Sequence, residues 1–110
     1  MLSRMGFTVK ERALYSKLRR LLGQPGVLRG TLVEMRRTCG TAGCRCATDA
    51  ARRHRSLYLA LSLNGKRRML YIPAAWEARV QEWTARYGEI RAVLEQITRL
   101  RLAQVERREE

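Results

Sequence analysis

Cys39, Cys44 and Cys46 are the three cysteines of this 110-residue chain, and its single histidine, His54, follows them. Together they read C-x4-C-x-C-x7-H. Thiolates and imidazole are the ligands zinc takes tetrahedrally, and a closed Cys3His set describes a structural site. Gly40 and Gly43 would let the backbone turn tightly enough to aim amides at the sulfurs. Arg45, Arg52, Arg53 and Arg55 would favour thiolates and offset the charge of the site. The spacing is not that of the common CxxC knuckles. Reduced cysteines in a basic loop, and a redox or iron–sulfur role, therefore stand as alternatives to structural zinc. A disulfide framework is not expected from three cysteines packed into eight residues, and the default compartment is a reducing cytoplasm.

The second chemical signal is ionic. Lys plus Arg number 23 against 10 acids, a formal charge of +13, and self-repulsion of that size usually implies a polyanionic partner. Arginine dominates the basic set, and its planar fork suits phosphate and guanine. A GC-rich genome also enriches arginine, so the net charge carries the argument. All of the excess lies in residues 1–72, while residues 73–110 are neutral. The cations expected on a polyanion are Arg36, Arg37, Arg45, Arg52, Arg53, Arg55, Lys66, Arg67 and Arg68.

An enzyme is not expected, and neither is a small-molecule substrate. The basic part holds Glu11, Glu34 and Asp49, too few carboxylates to hold Mg²⁺. The chain offers no Ser–His–Asp set, no glycine-rich phosphate loop and no HExxH. Cys–His nucleophilic chemistry through His54 is the only enzymatic alternative.

Three elements must position these residues. Residues 8–22 read as a helix, capped by Thr8 with Glu11 at the third position of a capping box, and Leu14, Leu18 and Leu21 form its apolar stripe. Residues 27–37 read as a strand with Thr31, Val33 and Met35 toward the core and Leu28 and Leu32 on the other face. Residues 39–55 lack periodicity and read as a loop or knuckle. Asn64-Gly65 is the preferred type I′ pair, so residues 57–72 form a hairpin. Its register sets Leu57 opposite Ile72, Leu59 opposite Leu70 and Leu61 opposite Arg68 on a leucine face. Tyr58 with Tyr71, Ala60 with Met69 and Ser62 with Arg67 make the other face. After Pro73 a helix is expected from Ala74 to about Glu106, with a heptad seam of Trp76, Val80, Trp83, Tyr87, Ile90, Leu94 and Ile97.

The fold class expected is α+β: a basic N-terminal helix, a small three-stranded antiparallel sheet with a Cys/His knuckle, and a long C-terminal helix. Its parts are residues 1–26, 27–73 and 74–110 within a single domain. The second half of the long helix is expected to pair with a second copy through Tyr87, Ile90, Leu94 and Ile97. The longest uncharged stretch, Ser56 to Gly65, is ten residues, about half of a membrane span. No secretory signal is read at the N-terminus, although residues 1–22, Arg-rich and acid-poor, resemble a mitochondrial transit peptide.

Residues 27–90 resemble a family of small bacterial proteins of unknown function. The residues that carry the likeness are Leu28-Arg29-Gly30-Thr31-Leu32, Cys39 to Cys46, His54, Tyr58, Gly65-Lys66-Arg67-Arg68 and Tyr71-Ile72-Pro73. The chain carries Arg55-Ser56-Leu57 where that family has Gly-Pro-Tyr. The resemblance implies a shared fold and no function. In architecture the strand, basic-turned hairpin and helix also resemble the arm-type DNA-binding domains of tyrosine recombinases, which lay a three-stranded sheet in the major groove. Carried over, that likeness makes Tyr58, Ser62, Arg67 and Tyr71 a reading face, with Lys66 and Arg68 on phosphates. The function expected is nucleic-acid binding, DNA before RNA, by a cytoplasmic regulator or accessory factor of a mobile element, nucleoid-associated if bacterial. RNA or ribonucleoprotein binding, and an adaptor using the long helix, are the alternatives.

Overall fold

The computed structural model describes residues 8–37, 42–45, 49 and 54–108. The order is α1 (Val9–Leu22), β1 (Thr31–Arg37), β2 (His54–Leu63), β3 (Lys66–Ile72), a 3-10 turn (Ala74–Trp76) and α2 (Glu77–Arg107). This is the expected α+β layout. By contact the chain divides into two compact units, Leu28–Thr84 and Met1–Val27 with Ala85–Glu110, so α2 contributes to both.

The first unit is a sheet with one covered face. β2 is central, with β1 and β3 antiparallel on either side. Asn64 and Gly65 both take positive φ, 52° and 78°, as a type I′ turn requires. That turn fixes the register, and all seven β2–β3 pairs, from Leu57↔Ile72 to Leu63↔Lys66, follow it. Leu57, Leu59, Ile72 and Val80 form the core, with Leu28, Leu32, Leu61 and Trp83 packed around them. The start of α2 therefore covers the part of the leucine face that holds Leu57, Leu59 and Ile72.

The faces of β1 are the reverse of the expectation. Leu32 pairs with Leu59 and Glu34 with Leu57, so the even-numbered residues of β1 lie on the leucine face. Thr31, Val33 and Met35 share the face of Ala60, Tyr58 and Ser56. Both sets are apolar enough to pass as a core stripe; the register and the helix decide. The Leu28 backbone N–H donates to the Trp83 carbonyl at 3.2 Å, holding this edge beneath α2. The strand also begins at Thr31 rather than at residue 27. At Gly30 a side chain has no room, because a Cβ there would sit 2.6 Å from Leu59 Cδ1.

In the second unit α1 and the C-terminal part of α2 run antiparallel: Glu11 meets Arg101, and Pro25 and Gly26 meet Arg86. Thr8 and Glu11 form the capping box: the Glu11 N–H donates to Thr8 Oγ1 at 3.1 Å, and the Glu11 carboxylate accepts from Thr8 N. Leu14, Ile90 and Val93 are buried. Val93 takes the place expected for Leu94, which is 48% exposed. A straight helix drifts about 20° per heptad against a strict seven-residue repeat, enough to move the buried position by one. The Arg86 guanidinium donates to the Pro25 carbonyl at 2.7 Å and to the Gly26 carbonyl, holding the end of the α1 turn to α2. α2 runs unbroken through Gly88, and at 31 residues it is about 46 Å long.

Candidate functional site

The exposed face of the sheet collects the residues expected to read a ligand. Along β2 and β3 the register places Tyr58 beside Tyr71, Ala60 beside Met69 and Ser62 beside Arg67. Val33 and Thr31 extend the first two rows onto β1. The helix lies on the opposite face, so among the described residues of this unit no helix covers the tyrosines. Tyr71 is 54% exposed, and Tyr58 meets it edge to face with ring centroids 5.8 Å apart and an angle of 69° between planes. Ala60 is buried because its small side chain sits low on the central strand.

The hairpin end carries the densest charge. β3 is exposed at every position but Ile72, on both of its faces. Arg67 lies on the tyrosine face, while Lys66 and Arg68 lie on the leucine face, by register opposite Leu63 and Leu61. All three cations are solvent-exposed, and no ion pair involves them among the described residues. Arg29 Nη2 donates to the Ser62 carbonyl at 2.6 Å and braces the hairpin near its turn from the β1 side.

Arg36 and Arg55 have a different setting from the one expected. They pair across β1 and β2 on the leucine face, away from the tyrosines. Arg55 Nε lies 2.9 Å from Glu34 Oε1, and its Nη1 lies 2.9 Å from Glu77 Oε1. Arg36 Nη2 reaches the same Glu34 oxygen at 3.0 Å. The hydrogen bond to Glu77, above all, raises the Arg55 guanidinium above its ordinary value. This network ties the sheet to the start of α2. Arg55 is a cross-brace, and Glu34 and Glu77 already neutralise part of its charge. Sequence reasoning missed the roles of Glu34, one of the three acids of the basic part, and of Glu77, at the start of the neutral segment.

Arg45 is an exposed residue of the connection between β1 and β2. Arg37 and His54 are paired partners at the ends of β1 and β2, so the cysteine-bearing segment leaves and returns at neighbouring strands. Cys44 is half-buried. Cys39, Cys46, Arg52 and Arg53 lie outside the described residues, as does the side chain of His54. Among the described residues no group of three metal-ligating side chains occurs.

The residues assigned to self-pairing separate into two kinds. Ile90 is buried, Tyr87 and Ile97 are half-buried, and Leu94 is open. The large apolar residues exposed on this part of α2 are Leu94, Leu102 and Val105. Among the described residues no helix is long and apolar enough to cross a membrane.

No curated protein matches the chain, and no solved structure matches it. A family model does: it spans residues 11–82, about two thirds of the chain, from the capping box of α1 through the whole sheet to the turn of α2 before Trp83. The part that matches thus holds both the tyrosine face and the cysteine segment, and the chain belongs to the family described as a domain of unknown function, DUF6788.

Proposed function

We propose that this protein binds nucleic acid through the uncovered face and basic turn of its sheet, with DNA as the first candidate and RNA as the second. The observation that carries the reading is the exposure of β3: Lys66, Arg67 and Arg68 are exposed and have no acidic partner among the described residues, and Arg67 shares its face with the tyrosine pair. A hairpin that projects cations from both of its faces can meet phosphates while its side chains approach bases. The likeness to the arm-type sheets that enter the major groove supports the same reading, as an analogy of architecture. A regulator or accessory factor, among them one serving a mobile element, is the role such a module fits.

Two further features belong to the proposal. Zinc held by Cys39, Cys44, Cys46 and His54 would staple the segment between β1 and β2, and its binding would contribute to folding. Pairing with a second copy would use Leu94, Leu102 and Val105, the apolar residues that α1 leaves open.

Purification without nuclease tests the core of the proposal. The protein is expected to carry polymer, raising the 260/280 nm absorbance ratio, and digestion with DNase or RNase identifies it. Protein that purifies free of polymer and then binds neither DNA nor RNA at about 100 mM salt, within the Debye-screened range where phosphate contacts still act, contradicts it and favours an adaptor.

A further inference from the structure

The tyrosine face has a composition that duplex recognition does not explain. Reading a duplex in its major groove takes donors and acceptors aimed at base edges. Here the middle of the face is largely apolar and aromatic: Val33, Tyr58 and Tyr71 in one row, Thr31, Ala60 and Met69 in the next. Polar groups stand at its margins, with Ser62 and Arg67 toward the turn. Tyr71 and Met69 are 54% and 44% exposed on β3, the edge strand of the sheet among the described residues. The Tyr58 ring packs against the Tyr71 ring in a T-shaped contact, with 69° between their planes. A half-exposed aromatic ring on this face, four residues from an exposed arginine that has no ion pair among the described residues, would serve as a platform for a base. The two lie roughly 13 Å apart along the strand.

We infer that the ligand of this face is single-stranded nucleic acid, with an unpaired base stacked on Tyr71 and the flanking phosphate held by Arg67. This rests on the nucleic-acid reading above and sharpens it to the strand state of the polymer. Bases in a duplex have their faces buried against one another, whereas unpaired bases offer theirs, and stacking on an aromatic side chain tolerates any base. Tyr58 packs against the Tyr71 ring and would support it. The apolar centre would suit a protein segment as well, but Arg67 within the face, with Lys66 and Arg68 on the other side of the same hairpin end, matches a polyanion.

The test measures fluorescence anisotropy with three labelled probes at fixed salt: an oligothymidine of about 12 nucleotides, the matching oligouridine and a duplex of the same length. The full chain is expected to bind a single strand about tenfold or more tighter than the duplex, and the two single strands separate DNA from RNA. Tyr71→Val should weaken single-strand binding by about tenfold, with little change on the duplex, while Tyr71→Phe should keep it. Equal or tighter binding to the duplex overturns the inference and leaves the nucleic-acid reading intact, as does a Tyr71→Val loss that is the same on every probe. No binding to any probe overturns both. The wild-type preference needs no variant, so a poorly folded Tyr71→Val would not rescue the idea.

Discussion

At the scale of single residues the structure turns on a few positions where chemistry leaves no alternative. Gly30 is one. A methyl group there would strike the Leu59 side chain at 2.6 Å and come within 3.2 Å of the Ala60 carbonyl. Gly30→Ala is therefore expected to destabilise the protein by about 1–3 kcal/mol, the usual range for overpacking a filled core. Urea unfolding checks this, and a variant as stable as the parent would show that Leu59 can move aside. Glu11 is another. It is the one charged residue found buried among the described residues, and Arg101 Nη1 lies 2.8 Å from its Oε2. The contact is one of charge rather than an aligned hydrogen bond. Arg101 is held above its ordinary guanidinium value first by its hydrogen bond with Tyr15 and then by the Glu11 charge. Arg101→Ala would strand a buried carboxylate, and a loss of about 1–3 kcal/mol is expected. Adding Glu11→Gln to Arg101→Ala should recover part of that loss; a double variant no more stable than Arg101→Ala would show that the charge was never the problem.

At the scale of elements, the hairpin was legible because one dipeptide specifies it. Asn64-Gly65 sets a turn, the turn sets a register, and the register sorts each side chain to a face. The capped start of α1 was legible for a similar reason, since Thr8 and Glu11 act on backbone groups three residues away. β1 was misread because Thr31, Val33 and Met35 on one side, and Leu28 and Leu32 on the other, are equally good apolar stripes. What separates them is the α2 helix lying on one face only, and that is not a local property. The same holds for Leu94 and Val93, adjacent apolar residues whose order of burial depends on where α1 packs. Of the candidate site, the tyrosine face and the basic turn followed from register alone. The Arg36–Glu34–Arg55–Glu77 network did not, because it joins a strand pair to a helix across 22 residues of sequence. The cysteine segment supplies its own prediction. Carefully purified protein should hold about one zinc per chain, and Cys44→Ser should release it and lower stability. Less than about 0.3 equivalents in metal analysis would count against zinc, since a structural site of this kind fills on folding.

At the scale of the molecule, charge follows the fold and not the order of the chain. Along the sequence the excess lies in residues 1–72. In the structure α1 joins the C-terminal part of α2 in one unit, so that unit and the sheet unit are both cationic, with 12 basic residues against six acids and 11 against four. A polyanion can therefore engage cations in either unit, and variants of each must be compared. Self-association belongs to this scale too. Leu94→Asp with Leu102→Asp is expected to shift a dimer to monomer in light scattering without loss of helix content. Ile90→Asp should instead destabilise the chain itself, because Ile90 is buried within it. An unchanged mass in the Leu94/Leu102 variant would argue against pairing along this face. The central claim is that exposed cations of the hairpin hold a nucleic-acid backbone, and the salt dependence of affinity tests it most directly. If about six cations meet phosphate, log affinity should fall with log salt at a slope of about −4 on a single strand and −5 on a duplex. Replacing Lys66, Arg67 and Arg68 together by Gln should make that slope shallower by about 2 to 3. An affinity that does not change with salt, or a slope that the triple variant leaves untouched, would contradict it.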